Sequence, residues 1–272
     1  MTVINTNVKS LIAQNALKVN NRAMANAMEQ LSTGKRINSA SDDAAGLALS
    51  ETFTSQIRAL NMAIRNANDG ISLAQTAEGA MIEISNMMQR MRELAVQAST
   101  GTLSTEQRGY LNTEFTALKS QINDTIDDTT WNGMTVLGNA SSLSFSIQVG
   151  SENAQTISVE VDSMAALYSA TAFAGIAAAA SASTSLDQLD TRLQAINEAR
   201  ADLGAVINRL TSAADNLANV TQNMAESRSR VLDTDYAQAT TELARTQIIQ
   251  QAGTAILAQA NQQPQSVLAL LR

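Results

Sequence analysis

The chain of 272 residues contains no cysteine and no histidine. Without thiols there is no disulfide framework and no cysteine nucleophile, and without imidazole the commonest general base and the usual zinc and haem ligands are gone. Proline occurs once, and four Phe, three Tyr and one Trp make up an aromatic content of only 3%. Alanine, leucine, isoleucine and methionine must therefore build the interior, a composition suited to long uninterrupted helices. Positive charge is also short, with 18 Lys and Arg against 25 Asp and Glu, a net charge of -7. Nucleic acid is not an expected partner, because binding it needs a positive surface that displaces counterions. The most apolar stretch, Ala172 to Ala180, covers nine residues. A bilayer crossing needs about 20, so no membrane partner is expected. Asn5, Asn7, Lys9, Gln14 and Asn15 interrupt any apolar leader core, so export would use a route other than a cleavable signal peptide.

What is present is periodicity. Steps of seven from Leu189 meet Ile196, Leu203, Leu210, Leu217, Met224 and Val231, all apolar. The companion positions Leu186, Leu193, Arg200, Ile207, Ala214, Thr221 and Arg228 begin apolar and become mixed. One long helix is expected, in a bundle where it meets different neighbours rather than in a dimeric zipper. A second helix carries Leu60, Ile64, Ala67, Ile71, Ala74, Ala77, Met81, Ile84, Met88, Met91 and Ala95 at an average step of 3.5 residues. Ser41-Asp42-Asp43 supplies its start and Gly101 its end. A third opens with Ser104-Thr105-Glu106-Gln107, a capping box, and places Leu111, Phe115, Leu118 and Ile122 on one face. The expected class is mainly α, with long antiparallel coiled-coil helices in a rod-like bundle. Its core is assigned to Ile64, Ile71, Ile84, Met88, Leu189, Ile196, Leu203, Leu210 and Leu217.

Between the helical halves the period changes to two. Leu143, Phe145, Ile147 and Val149 alternate, as do Ile157, Val159 and Val161 beyond Gly150, which predicts a small β-hairpin region. Asn132-Gly133 marks a tight turn before it. The Ala/Ser/Thr-rich stretch from Ser163 to Ser185 reads as a surface-exposed connection.

The ends differ again. Residues 1–40 hold Lys9, Lys18, Arg22, Lys35 and Arg36 against Glu29, and residues 237–272 hold only Glu242, Arg245 and Arg272 as charges. Val8, Leu11, Ile12 and Leu31 at one end, and Leu243, Ile249, Ile256, Leu257, Leu268 and Leu271 at the other, punctuate runs of Gln, Asn and Ala at roughly helical spacing. Neither end has evident cover inside the chain once the central seams are used, so both are expected to bury themselves against other copies.

Chemistry has few candidates. Asp42-Asp43, Asp127-Asp128, Asp187 with Asp190 and Asp233 with Asp235 are acidic pairs at expected helix ends, where capping explains them. No phosphate loop, nucleophile elbow or calcium loop occurs. The eleven Met fit a bundle core at helical spacing better than an adaptable groove. No enzyme, cofactor or metal site is expected.

Several blocks closely resemble bacterial flagellin. These are Val3-Ile4-Asn5-Thr6-Asn7, Leu31-Ser32-Thr33-Gly34-Lys35-Arg36-Ile37-Asn38-Ser39-Ala40, and Asp42-Asp43-Ala44-Ala45-Gly46-Leu47-Ala48. Further on come Arg65-Asn66-Ala67-Asn68-Asp69-Gly70-Ile71-Ser72, Gln89-Arg90-Met91-Arg92-Glu93-Leu94-Ala95-Val96-Gln97 and Leu257-Ala258-Gln259-Ala260-Asn261-Gln262-Gln263-Pro264. The resemblance implies a secreted, extracellular filament subunit that polymerises with itself after flagellar type III export. It implies an inner layer from 1–43 with 236–272, a helical rod from 44–138 with 186–235, and an outer hairpin and connection from 139–185. So short a middle segment leaves no room for separate large outer domains. By the same resemblance the partners are an export chaperone on the C-terminal segment, hook-associated and cap proteins, and an animal innate immune receptor that reads Gln89, Arg90, Leu94 and Glu114. Two alternatives are a hook–filament junction protein, which the Gln262-Gln263-Pro264-Gln265 ending disfavours, and a secreted coiled-coil membrane translocator, which the Gln and Asn of both ends disfavour.

Overall fold

A computed structural model of the chain describes residues 6–138, 141–164 and 173–269, with side chains through Gln262. Its elements run α1 (Val8–Thr33), α2 (Ala44–Ser99), α3 (Thr105–Asp128), β1 (Thr130–Trp131), β2 (Met134–Thr135), β3 (Leu143–Gln148), β4 (Thr156–Val161), α4 (Ala179–Leu232) and α5 (Tyr236–Ala269). The protein is mainly α. It divides into two compact units, Arg58–Thr221 and Met1–Ile57 with Gln222–Arg272.

The 3.5-residue spacing on α2 does what it predicts. Ala67, Ala74, Ala77, Met81, Ile84, Met88, Met91 and Ala95 are wholly buried, while Ile64 and Ile71 are half-buried at the margin. On α4, Leu189, Ile196, Leu203 and Leu210 are buried, and Leu217 is half-buried. Phe115, Ile122 and Ile126 join them from α3. Each such aliphatic or Met side chain contributes about 1.5–3 kcal/mol relative to exposure. Arg92 pairs with Asp190 and Glu78 meets Arg200, so rising numbers on α2 face falling numbers on α4. The two helices are antiparallel. Arg90 bridges α2 to Glu114 of α3 at 2.9 Å.

The helix ends follow local chemistry. Ser104 and Gln107 form the full reciprocal capping box of α3. Asp43 Oδ1 accepts the Gly46 N–H at 2.9 Å at the start of α2. Asp42 turns the other way, accepting the main-chain N–H groups of Asn38 and Ser39 and the Ser39 hydroxyl.

The alternating segment forms the expected hairpin, with Leu143 opposite Val161, Phe145 opposite Val159 and Ile147 opposite Ile157. These cross-strand pairs share one face, and Val159 and Val161 are buried. Gly70 allows the approach. A Cβ there would lie 3.0 Å from Ile147 Cγ1 and 3.2 Å from Leu210 Cδ1. Asn132 and Gly133 both take left-handed φ, 49° and 78°. They close a separate miniature hairpin, β1 with β2, so this turn does more than precede the larger one.

The stretch from Ser163 to Ser185 departs from the expectation of a surface-exposed connection. Residues 165–172 lie outside the described residues, but Met164, Phe173, Ile176, Ala182 and Ser185 are all buried. Phe173 meets Phe115 edge to face with centroids 6.0 Å apart, and the Arg192 guanidinium lies over its ring. Ile176 N–H donates to Asn112 Oδ1, and the Ser185 hydroxyl donates to the Gly175 carbonyl. Helix α4 starts at Ala179 because an Ala-rich run is a strong helix former even where no apolar stripe announces it.

Candidate assembly interface

The unit Met1–Ile57 with Gln222–Arg272 is built on the pair α1 and α5. Asn7 caps α1 by accepting the Ser10 N–H, and its side-chain amide donates to the Ala260 carbonyl at 2.8 Å. Asn20 Nδ2 donates to the Thr246 carbonyl, and Gln250 Nε2 to Asn21 Oδ1. Tyr236 OH reaches the Leu31 carbonyl at 3.3 Å. The helices are antiparallel and close, since a Cβ on Gly253 would lie 2.7 Å from Leu17 Cδ2. This corrects the expectation that the ends lack cover inside the chain. Amide side chains and a glycine seat the two helices on each other, features too scattered to stand out as a seam.

The cover is partial, and what it leaves out is specific. Along all of α1 the buried residues are Ser10, Asn20 and Ala27. Across the described side chains of α5 they are Ala239 and Thr246. The large aliphatics face outward, with Ile12 at 65%, Ile256 at 59% and Ile248 at 66% exposure, and Val8, Leu11 and Ile249 are exposed beside them. Leu31, Leu243 and Leu257 are half-buried. Leu268 and Leu271 lie outside the described side chains. Val19 and Met28 are further exposed apolar residues; neither they nor Ile248 are singled out by the sequence pattern, although Val19 stands seven residues beyond Ile12. An open apolar groove of about 340 Å³ runs between the helices, lined by Ile12, Ala16, Leu17, Ile249, Gly253 and Ile256 among others. Exposed aliphatics contiguous over two helices are surface that a lone soluble molecule does not ordinarily keep.

At the head of this pair the connections are ordered by ionic and helix-end chemistry. Asp235 Oδ1 accepts the Ala237 and Gln238 N–H groups at the start of α5. Hydrogen bonds from Ser39 and Asn38 hold the Asp42 carboxyl below its ordinary 3.8. Asp42, Asp43 and Asp235 are engaged in turns and capping, whereas Asp187 and Asp190 lie inside α4 because that helix starts early, at Ala179. Asp190 pairs with Arg92, whose hydrogen bond holds it below its ordinary range. Asp127-Asp128 closes the C-terminal end of α3. Among the described residues there is no group of three or more acidic side chains placed to hold a metal ion, and no helix is long and apolar enough to cross a membrane.

The four residues of the receptor resemblance do not form one exposed patch. Gln89, Arg90 and Glu114 are exposed, and Arg90 is paired with both Glu93 and Glu114. Leu94 is 1% exposed and belongs to the core.

Comparison with known proteins agrees with this architecture. Residues 4–142 match the bacterial flagellin N-terminal helical region and residues 186–271 the bacterial flagellin C-terminal helical region. A flagellin of Halalkalibacterium halodurans is 42% identical over 272 residues, covering 99% of this chain and 100% of that protein. The flagellar filament 31.3 kDa core protein of Treponema maltophilum is 38% identical over 285 residues, covering 99% and 100%. Flagellin B of Vibrio cholerae is 32% identical over an alignment of 372 positions, covering 98% and 99%, so that relative carries segments absent from this short chain. The crystal structure of Bacillus cereus flagellin superimposes with a TM-score of 0.50 at 29% identity, covering 60% of this chain and 94% of that one. The chain belongs to the bacterial flagellin family.

Proposed function

We infer that the protein is a structural subunit of the bacterial flagellar filament, working outside the cell, and that its α1 and α5 surfaces are what one subunit offers another. The observation that carries this reading is the inverted burial of the terminal pair. Small and polar residues are inside, while Val8, Leu11, Ile12, Ile248, Ile249 and Ile256 are outside. Ordering these helices costs about 1–2 kcal/mol per residue in backbone entropy alone. An interface built on Asn20, Ala27, Ala239 and Thr246 offsets little of that. Neighbouring copies supply the missing burial at about 1.5–3 kcal/mol for each large aliphatic. Contacts that repeat head to tail without closing a ring propagate as a helical filament.

The finer reading is what membership of the family implies. Residues 1–43 with 236–272 form the inner layer, 44–138 with 186–235 the rod around it, and 139–185 the outer part. A chain without cysteine has no disulfide to lock it, which suits passage unfolded through the flagellar type III channel. Before export, a chaperone that covers the C-terminal segment would hide its apolar residues. At the growing end, hook-associated and cap proteins would meet the same surfaces. Recognition by an animal receptor would rest on Gln89, Arg90 and Glu114, with Leu94 shaping the helix from beneath. The protein acts by assembly and carries out no catalysis.

The test is seeded polymerisation of purified protein followed by negative-stain electron microscopy. Filaments from the intact chain, and none from the double variant Ile12→Ser with Ile256→Ser at unchanged helix content, support the reading. Normal filaments from the double variant overturn it. For the receptor, a cell reporter should respond to the intact protein and lose that response with Arg90→Ala.

A further inference from the structure

The two connections flanking the terminal pair are stitched to each other. Gly34, at a left-handed φ of 70°, closes α1. Beyond it the chain runs beside residues 231–235, with Lys35 and Asp233 in a lone antiparallel bridge. Arg36 N–H donates to the Leu232 carbonyl at 2.7 Å, and Thr234 N–H donates to the Gly34 carbonyl at 3.0 Å. The Arg36 side chain adds a third bond, from Nη2 to the Val231 carbonyl at 2.7 Å. Because α4 ends at Leu232, both Arg36 bonds fall on carbonyls of the last helical turn. Such carbonyls lack intrahelical partners and stand at the negative end of the helix dipole, where a guanidinium is favoured twice over. Gln30 Nε2 donates to the Arg36 carbonyl at 3.3 Å and anchors the other side of the crossing to α1.

We propose that Arg36 is a positioning residue for filament assembly. By capping the C-terminus of α4 it fixes the register in which α1 meets α5, and with it the relation between the outward aliphatic stripes of the two helices. The inference rests on those stripes being the assembly interface. The α1–α5 contact sets its own register weakly. Its buried side chains are small or amide-bearing, and runs of Ala and Gln offer similar neighbours one turn up or down. The crossing differs because it joins fixed main-chain atoms. A slip there breaks the Leu232, Val231 and Gly34 bonds together. Charge and reach both matter at the Val231 carbonyl, so lysine should substitute in part and methionine should not.

The absence of cysteine makes the test clean. Asn21→Cys with Gln250→Cys reports the native register, since these side chains touch, and Asn21→Cys with Thr254→Cys reports a slip of about one turn. Both pairs are placed in the full chain with Arg36 intact or replaced by Ala, Met or Lys, and are oxidised as dilute subunits. Arg36→Ala and Arg36→Met should lower the native-to-slipped cross-link ratio about fivefold and raise the critical concentration for seeded polymerisation about tenfold, the size set by one charge-assisted hydrogen bond. Arg36→Lys should recover most of both, and the thermal midpoint of the unit Arg58–Thr221 should not move. An unchanged cross-link ratio in Arg36→Ala, or Lys behaving like Met, overturns the inference. A shifted ratio with unchanged polymerisation overturns instead the reading of the stripes as the interface.

Discussion

Asn20 of α1 donates its side-chain amide to the main-chain carbonyl of Thr246 on α5 at 2.8 Å, a buried bond between residues 226 positions apart. That carbonyl belongs to a continuous helix, so the amide gives it a second donor; the bond ties α1 to α5, while equivalent carbonyls one turn up or down leave the register to be set elsewhere. Asn20→Ala should weaken the terminal pair by about 1–2 kcal/mol. Hydrogen-exchange mass spectrometry should show faster exchange confined to α1 and α5, with the unit Arg58–Thr221 unaffected.

Removing residues 237–272 deletes α5 but for Tyr236, and with it every partner it gives α1 except the Tyr236 hydroxyl on the Leu31 carbonyl. The core of Arg58–Thr221 draws on none of those residues. The truncated chain should remain soluble, keep the helical circular dichroism of α2, α3 and α4 and melt cooperatively. It should grow no filament on added seeds. Elongation visible by electron microscopy would contradict this.

Two carboxylates should keep their charge longest as the pH falls. Asp42 is held low by hydrogen bonds from Ser39 and Asn38, and Asp190 by Arg92. A group whose folded value lies below its unfolded one stabilises fully above the unfolded value, here 3.8, and loses that contribution as pH falls through the folded value. The Asn38 and Ser39 amides should therefore exchange at a constant level of protection at neutral pH and lose it only below about pH 4. Asp42→Asn should weaken that protection at neutral pH and remove its acid dependence.

Gly70 and Leu210 should be coupled. Gly70→Ala gains about 1 kcal/mol of helix propensity but drives a methyl against Ile147 and Leu210, an overpacking cost of about 1–3 kcal/mol. Leu210→Ala alone should cost about 2–5 kcal/mol. In the double variant the new methyl enters space that Leu210 vacated. Its denaturation midpoint should lie above the sum of the single effects, whereas strict additivity would contradict the contact.

Much of this architecture is legible in residue spacing. The step of 3.5 on α2 and of seven on α4 named residues that are mostly buried, with Ile64, Ile71, Leu217, Met224 and Val231 half-buried at the margins, because a helix with one seam must place that seam inward. Leu143 to Val161 announced a hairpin by alternation, and Ser104 to Gln107 a helix start. Three features stayed hidden for physical reasons. The early start of α4 at Ala179 carries no stripe, only propensity. Phe173 and Ile176 stand alone in an Ala/Ser run, so no period marks them as core. The pairing of α1 with α5 uses Asn7, Asn20, Gln250 and Gly253, whose contacts depend on a partner more than two hundred residues away along the chain. The outward aliphatics were legible as residues, whereas which of them face out was set by that pairing.

The central claim is that the terminal helices complete their burial on other copies of the chain. Hydrogen exchange of α1 and α5, measured in dilute subunits and again in assembled filaments, tests it most directly. The account predicts fast exchange in the dilute subunit and at least about tenfold slower exchange in the filament, with little change in α2 and α3 of the unit Arg58–Thr221. Strong protection of α1 and α5 already present in dilute subunits, and unaltered by assembly, would contradict it.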